Sequence, residues 1–278
     1  MTELLALTSA MAYGVADFLG GFATKRRHVL RVLAVAHSVG LAVVLGVALI
    51  GGGSPGLSDL WWGAAAGSAG LVGLGFFYWS LAIGTMGVVA PVTAAVGAAI
   101  PVVVGLVIGE RPAPSAALGV VATLGAIVLV SAGDSTGWIK HPAAMRKSLI
   151  GAVVAGGGFG FFFVLLSQVD AAAGMWPLVA ARSTSTGIVV VLLLLLRPAA
   201  TPGGVAPSSA AGVLDITANV FVLAAFNGGM LVIVSALAAL YPAVTVLLAR
   251  FVLHERLRPV QLIGLVLAIT AVAMISVA

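Results

Sequence analysis

Long apolar runs, separated by short polar or charged connections, make up most of the sequence. Cutting the chain at charges, proline and glycine clusters and polar turns leaves ten runs of about 20 residues, the length that an α-helix needs to cross a bilayer. They cover residues 3–24, 30–50, 59–82, 85–108, 113–132, 148–168, 175–196, 207–227, 229–252 and 259–277. A β-barrel would need alternating segments, and residues 189–196 do not alternate. The pattern predicts an all-α integral membrane protein with ten transmembrane helices.

The composition excludes several classes of function. Hydrophobic residues form 62% of the chain, charged residues only 8%, and the mean hydropathy is +1.23. A soluble domain carries about 25% charged residues, so this chain cannot build a water-facing surface. The basic excess gives a net charge of +5 but lies between apolar runs, which argues against a nucleic-acid partner. The chain has no cysteine, and no metal cluster, nucleophile–base set or ATPase motif is visible, so we expect no enzyme activity, metal or cofactor.

The basic residues also predict the orientation in the membrane. Eleven of the 13 lysines and arginines fall on one side of the predicted bilayer, Arg111 alone falls on the side of both termini, and Arg182 lies within a span. Cytoplasmic loops carry the excess of lysine and arginine. We therefore expect a multi-pass protein of the plasma membrane, namely the bacterial inner membrane, with both termini extracytoplasmic.

The chain contains an internal repeat. Residues 109–114 (GERPAP) recur as 254–259 (HERLRP), an offset of 145 residues. Each half holds five predicted spans, an odd number, so the two halves are expected to insert in opposite senses. Inverted repeats are typical of secondary transporters, whose binding site lies near the bilayer midplane. We predict five-helix repeats at 1–132 and 148–278, joined by a cytoplasmic linker at 133–147.

These features together resemble a known family. Ten spans in two five-span halves, with Glu-Arg closing the fourth and ninth spans, are similar to the EamA-type transporters of the drug/metabolite transporter superfamily. The resemblance implies two bundles around a central cavity, lined by the first four helices of each half, with the fifth and tenth helices peripheral. Members move small metabolites and often export amino acids. Residues 177–182 resemble the arginine-bearing segment of the family, whereas the first half departs by placing His37 at the matching position.

Ionisable residues inside a span are costly and often mark a transport pathway. Asp17 lies about 10 Å deep by helix rise, and Ser9, Tyr13 and Asp17 share one helix face because they are four residues apart. An acid there can exchange a proton for a cationic or zwitterionic substrate. His37 is predicted at a similar depth, where an Asp17–His37 pair could relay protons. The structural alternative is interhelical hydrogen bonding by both residues.

The second half carries a matching polar set. Arg182 is predicted about 10 Å below the outer surface, where it could hold a carboxylate or phosphate, or pair with a neighbouring acid. Asp215 is the obvious partner, but its depth makes direct contact a long reach. Asp215 and Asn219 are four residues apart and share a face. We predict Tyr13, Asp17, His37, Arg182, Asp215 and Asn219 as the residues of substrate binding and translocation, with proton coupling at Asp17 and His37.

Prolines and the repeated Glu-Arg pair give weaker signals. Pro91 and Pro101 are expected to interrupt the fourth helix, and Pro242 the ninth, so all three are candidate hinges, although packing kinks explain such prolines as well. Glu110 is expected to fix its loop by pairing with Arg111, as Glu255 would with Arg256.

The favoured function is secondary active transport, specifically proton-coupled export of a small polar metabolite, such as an amino acid, by alternating access. The partners would be the solute, protons and the lipid bilayer. A passive or exchange carrier, indifferent to pH, is one alternative. A non-transporting receptor or scaffold is another, which ten spans with almost no extramembrane surface disfavour.

Overall fold

The computed structural model describes residues 1–24, 26–83, 86–131, 142–199, 203–252 and 258–277, which form helices joined by short turns. The helices are α1 (Thr2–Thr24), α2 (Val29–Gly51), α3 (Leu57–Ile83), α4 (Met86–Val107), α5 (Pro114–Ser131), α6 (Pro142–Leu166), α7 (Trp176–Leu196), α8 (Val205–Phe226), α9 (Leu231–Ala238), α10 (Tyr241–Val252) and α11 (Pro259–Ser276). Within the described residues, eight segments are long and apolar enough to cross a membrane, and two further apolar stretches are shorter. An all-helical, multi-pass membrane protein is confirmed.

The described helices differ from the predicted runs in three places. The ninth run is split into α9 and α10 by Ala239 and Leu240, and Pro242 is the second residue of α10, where its missing N–H costs little. The expected interruptions at Pro91 and Pro101 are wrong, because α4 continues through both; membrane helices tolerate proline where neighbours satisfy the freed carbonyls. Of the predicted linker, 133–141 lie outside the described residues and 142–147 form the first turns of α6.

Matched glycines bring the two halves into contact. Gly67 of α3 packs against the backbone of Ala181 of α7, and Gly212 of α8 packs against the backbone of Ala36 of α2. Gly67 and Gly212 are 145 residues apart, as are Ala36 and Ala181. The glycine of each half therefore packs against the equivalent alanine of the other half. Such reciprocal contacts are typical of a two-fold related interface.

The peripheral helices α5 and α11 repeat this exchange of contacts. Gly119 of α5 lies against Ile275 of α11, and Gly264 of α11 lies against Val130 of α5. Both the glycines and their partners are again 145 residues apart. Small residues at helix crossings let backbones approach closely in membranes. The repeat in the sequence is thus a repeat in the packing.

Alanine at Gly67 is expected to destabilise the protein, whereas alanine at Gly75 is not. Both glycines lie within α3, so the change in helix propensity is equal. A Cβ at Gly67 would overlap the backbone of Ala181, while a Cβ at Gly75 meets nothing within 4 Å. Overpacking of this kind costs about 1–3 kcal/mol. Thermal unfolding of the two variants in detergent measures the difference, and equal melting temperatures would contradict the close contact.

Glu110 connects the two halves in a way that the sequence did not indicate. Gly109 adopts φ +101°, which glycine tolerates, and turns the chain after α4. The Glu110 carboxylate then accepts hydrogen bonds from the backbone N–H groups of Leu231 (2.7 Å) and Val232 (2.8 Å) at the start of α9. The expected Glu110–Arg111 side-chain pair is wrong, because the Arg111 guanidinium donates instead to the backbone carbonyls of Leu106, at the end of α4, and Glu110. Glu255 and Arg256 lie outside the described residues.

Candidate functional site

A central cavity of about 80 Å³ lies where the two halves meet. Among the described residues, its lining comes from α1 to α4, from α6 to α8, and from the α9–α10 junction, and none of it comes from α5 or α11. The first four helices of each half thus enclose the cavity, which agrees with the arrangement that the family resemblance implies. One water occupies roughly 10–15 Å³ of such space, so the cavity suits several waters or a small solute.

All six predicted site residues line this one cavity. They are Tyr13, Asp17, His37, Arg182, Asp215 and Asn219. The structure therefore brings together polar residues that are more than 200 positions apart in sequence, although their roles in binding remain predictions.

Four of these residues form a continuous polar chain. The Arg182 guanidinium pairs with the Asp215 carboxylate, and Asn219 donates from Nδ2 to the Asp215 backbone carbonyl (2.6 Å) and carboxylate (3.2 Å). The Tyr13 hydroxyl donates to Asn219 Oδ1 (3.0 Å). The expectation that direct contact between Arg182 and Asp215 needs a long reach does not exclude the pair, because the two charged groups are in contact. This chain connects α1, α7 and α8 across the two halves.

His37 belongs to a separate contact. Its Nδ1 lies 2.8 Å from Ser185 Oγ, and the Ser185 hydroxyl donates to the Arg182 carbonyl (3.2 Å). The ring is only 3% exposed, and its Nε2 has no partner among the described residues. The structure records no hydrogen bond between His37 and Asp17 in the described part of the chain, although both line the cavity. A direct Asp17–His37 relay is therefore not formed in this conformation.

Asp17 differs from the other acid of the cavity. Its side chain is half-buried, and its carboxylate has neither a hydrogen bond nor an ion pair with any residue that the structure describes. Ser9, on the same face of α1, is fully buried and donates to the Ala218 carbonyl (2.9 Å), so it joins α1 to α8 and lies outside the cavity. Only the Tyr13 and Asp17 part of the predicted stripe faces the cavity.

The apolar part of the lining was not predicted. Phe159, Phe162 and Phe163 of α6 form one wall, and Tyr13 lies 6.3 Å from Phe163 and 6.5 Å from Tyr241 between ring centroids. Adjacent phenylalanines at 161–163 were a usable signal, but such runs are ordinary in a chain of this composition. Ser185 was missed because serine is common in membrane helices, where it bonds the backbone of its own or a neighbouring helix.

Fold and cavity together define a helical membrane protein whose two repeats enclose a small cavity, with a chain of polar residues and an apolar wall. The sequence model of the EamA-like transporter family matches residues 1–132 and again 146–277. The chain belongs to the EamA-like transporter family. No curated protein matches its sequence.

A solved structure, titled only "Crystal structure of protein", has the same fold. It aligns with a TM-score of 0.78 over 99% of this chain and 96% of its own, at 17% sequence identity. At that identity the likeness concerns the fold alone.

Proposed function

We propose that this membrane transporter exports a small polar metabolite, such as an amino acid, in exchange for protons. The observation that carries the proposal is the Asp17 carboxylate, which lies in a cavity enclosed by both repeats and has no partner among the residues that the structure describes. An ionised group away from water is costly unless it is paired, so such a carboxylate favours binding either a proton or a cationic group. A site that accepts either of the two in turn can couple their movements.

The second part of the proposal concerns substrate recognition. Arg182 presents the guanidinium group that suits a carboxylate, and in this conformation Asp215 occupies it. A substrate carboxylate would replace Asp215 as the partner of Arg182. Asn219 and Tyr13 extend the same polar chain and would complete the site.

The orientation and movement of the protein complete the model. The ten spans form two inverted five-helix repeats, 1–132 and 148–278, with the connection 133–147 in the cytoplasm and both termini outside the bacterial inner membrane. The exchanged glycine contacts support a two-fold relation between the repeats. Rocking of one repeat against the other would expose the cavity to each side in turn. The hinges would be Pro91 and Pro101, by bending within the continuous α4, and Pro242, which follows the break between α9 and α10.

Asp17→Asn is expected to reduce transport driven by a pH gradient at least tenfold in proteoliposomes, because the amide cannot carry the proton. Asp170→Asn is the matched control: Asp170 is exposed, and its carboxylate caps the Ala172 N–H (2.8 Å), which an asparagine oxygen can also do. Uptake of labelled amino acids with and without the gradient measures the effect.

The same assay separates the alternative functions. Transport that is equally fast without a pH gradient, and unchanged in Asp17→Asn, would indicate a passive or exchange carrier. Absence of any counterflow by the wild-type protein would indicate a receptor or scaffold.

A further inference from the structure

A smaller pocket of about 20 Å³, which we call the annex, adjoins the central cavity. Its polar lining is Asp17, His37, Asp215 and Tyr78, and the rest is three alanines and Leu74. Asp17, His37, Asp215 and Leu74 line the cavity as well, so the two spaces share a boundary. One water needs roughly 10–15 Å³, so the annex has the size of a single water or a single –NH₃⁺ group.

We assign the Nδ1–H tautomer to His37. In this arrangement the single hydrogen of the Ser185 hydroxyl is donated to the Arg182 carbonyl (3.2 Å), so Ser185 Oγ accepts from His37. His37 Nδ1, 2.8 Å away, is then the N–H donor. In the neutral ring Nε2 is then an acceptor, and it is buried without a partner in the described part of the chain. A buried unsatisfied group of this kind calls for a bound water, ion or ligand.

Most of the polar groups that line the annex can only accept hydrogen bonds. Asp17 and Asp215 bring two carboxylates, His37 brings a lone pair, and the Tyr78 hydroxyl can accept as well as donate. Arg182 pairs with Asp215 and offsets one of the two carboxylates, which leaves Asp17 uncompensated among the described residues. The annex therefore suits a small cation that donates several hydrogen bonds.

We propose that the annex binds the primary ammonium group of the solute, with Asp17 as its counter-ion and His37 Nε2 as a hydrogen-bond acceptor. The body of the solute would lie in the central cavity against Leu71, Leu74, Phe159 and Phe162. This inference deepens the proposed transport function by assigning the solute to the primary amines and by giving its orientation. His37 is then a ligand-binding residue that need not change its protonation.

Two other occupants of the annex make different predictions. A sodium ion prefers oxygen ligands and gains nothing from a histidine nitrogen, whereas an N–H donor uses both the carboxylate and the nitrogen. A lone water satisfies the acceptors but leaves the Asp17 charge uncompensated. The observed set of groups favours the ammonium.

Binding to the purified wild-type protein tests the proposal, with 2-phenylethylamine compared with 2-phenylethanol, 3-phenylpropanoate and sodium chloride alone. Calorimetric titration in detergent, without any gradient, gives the affinities. We expect the amine to bind at least tenfold more tightly than the alcohol. His37→Phe, which keeps a ring but removes the acceptor, should lose tenfold or more, whereas His37→Gln, with an amide oxygen, should retain part of the affinity. Asp170→Asn should bind as the wild type does.

The proposal is overturned if the alcohol binds as tightly as the amine, if sodium alone is bound, or if His37→Phe binds the amine normally. The wild-type ligand series decides the question even if a variant fails to fold. Because this measurement needs no transport, its failure leaves proton-coupled export standing. Conversely, loss of the pH response in proteoliposomes leaves the ammonium site standing.

Discussion

Asp215→Asn is expected to destabilise the protein by about 3 kcal/mol, whereas the double variant Arg182→Met/Asp215→Leu is expected to recover most of that loss. Removing one partner of a buried ion pair leaves an uncompensated charge and costs about 3–5 kcal/mol. The lower end applies here because the pair is only partly buried. The Asp215 side chain, which lines the cavity, is 26% exposed, and the Arg182 side chain is 11% exposed. Apolar replacement of both partners is often neutral. Unfolding by sodium dodecyl sulfate in mixed micelles measures the free energies.

Transport activity is not expected to recover in the double variant, although its stability is. If Arg182 binds the substrate carboxylate, both Arg182→Met/Asp215→Leu and Arg182→Met alone lose transport, although only the single variant is unstable. Destabilisation that simply adds from the two single variants would show that the residues are not coupled. Normal transport by the stable double variant would remove Arg182 from the binding site.

The membrane fold was readable from the sequence because lipid imposes a strong constraint. Every span needs about 20 apolar residues, so charges and turns mark the span ends even without any alignment. The break in the ninth span was predicted from Pro242 and lies just before that residue, at Ala239 and Leu240, which are as apolar as the helices beside them and give no signal of the exact position. Whether Pro91 and Pro101 interrupt α4 could not be predicted either, because the outcome depends on which neighbouring groups satisfy the freed carbonyls of the helix.

The polar part of the site was predictable for a related reason. Ionisable residues are rare within the spans, so Asp17, His37, Arg182 and Asp215 stood out, and helical spacing added Asn219. The apolar lining had no such contrast with its surroundings. Tyr78 illustrates the limit: its place beside Trp79 at a span end predicts an interfacial ring, whereas it is 5% exposed and lines the annex. Which way a ring points depends on the neighbouring helices.

Glu110→Ala is expected to destabilise the start of α9 by about 2 kcal/mol. The carboxylate satisfies two backbone N–H groups that have no partner within the helix, and a negative charge is favourable at a helix N-terminus. Loss of a capping side chain costs about 0.5–2 kcal/mol, and a buried donor left unsatisfied costs about 1–3 kcal/mol. Because this cap joins the α4–α5 loop of one repeat to the other repeat, its loss should also ease their separation.

Cysteine labelling can follow that opening, since the chain has no native cysteine. Ser235 of α9 is fully buried, and Ser235→Cys provides a nearly isosteric probe. We expect Glu110→Ala to raise its maleimide labelling rate about tenfold or more, because each 1.4 kcal/mol corresponds to a factor of ten. Arg111→Ala is the matched control, as Arg111 is exposed and, in the described structure, bonds only carbonyls of its own repeat, those of Leu106 and Glu110. Equal labelling in both variants would mean that the Glu110 cap does not hold the repeats together.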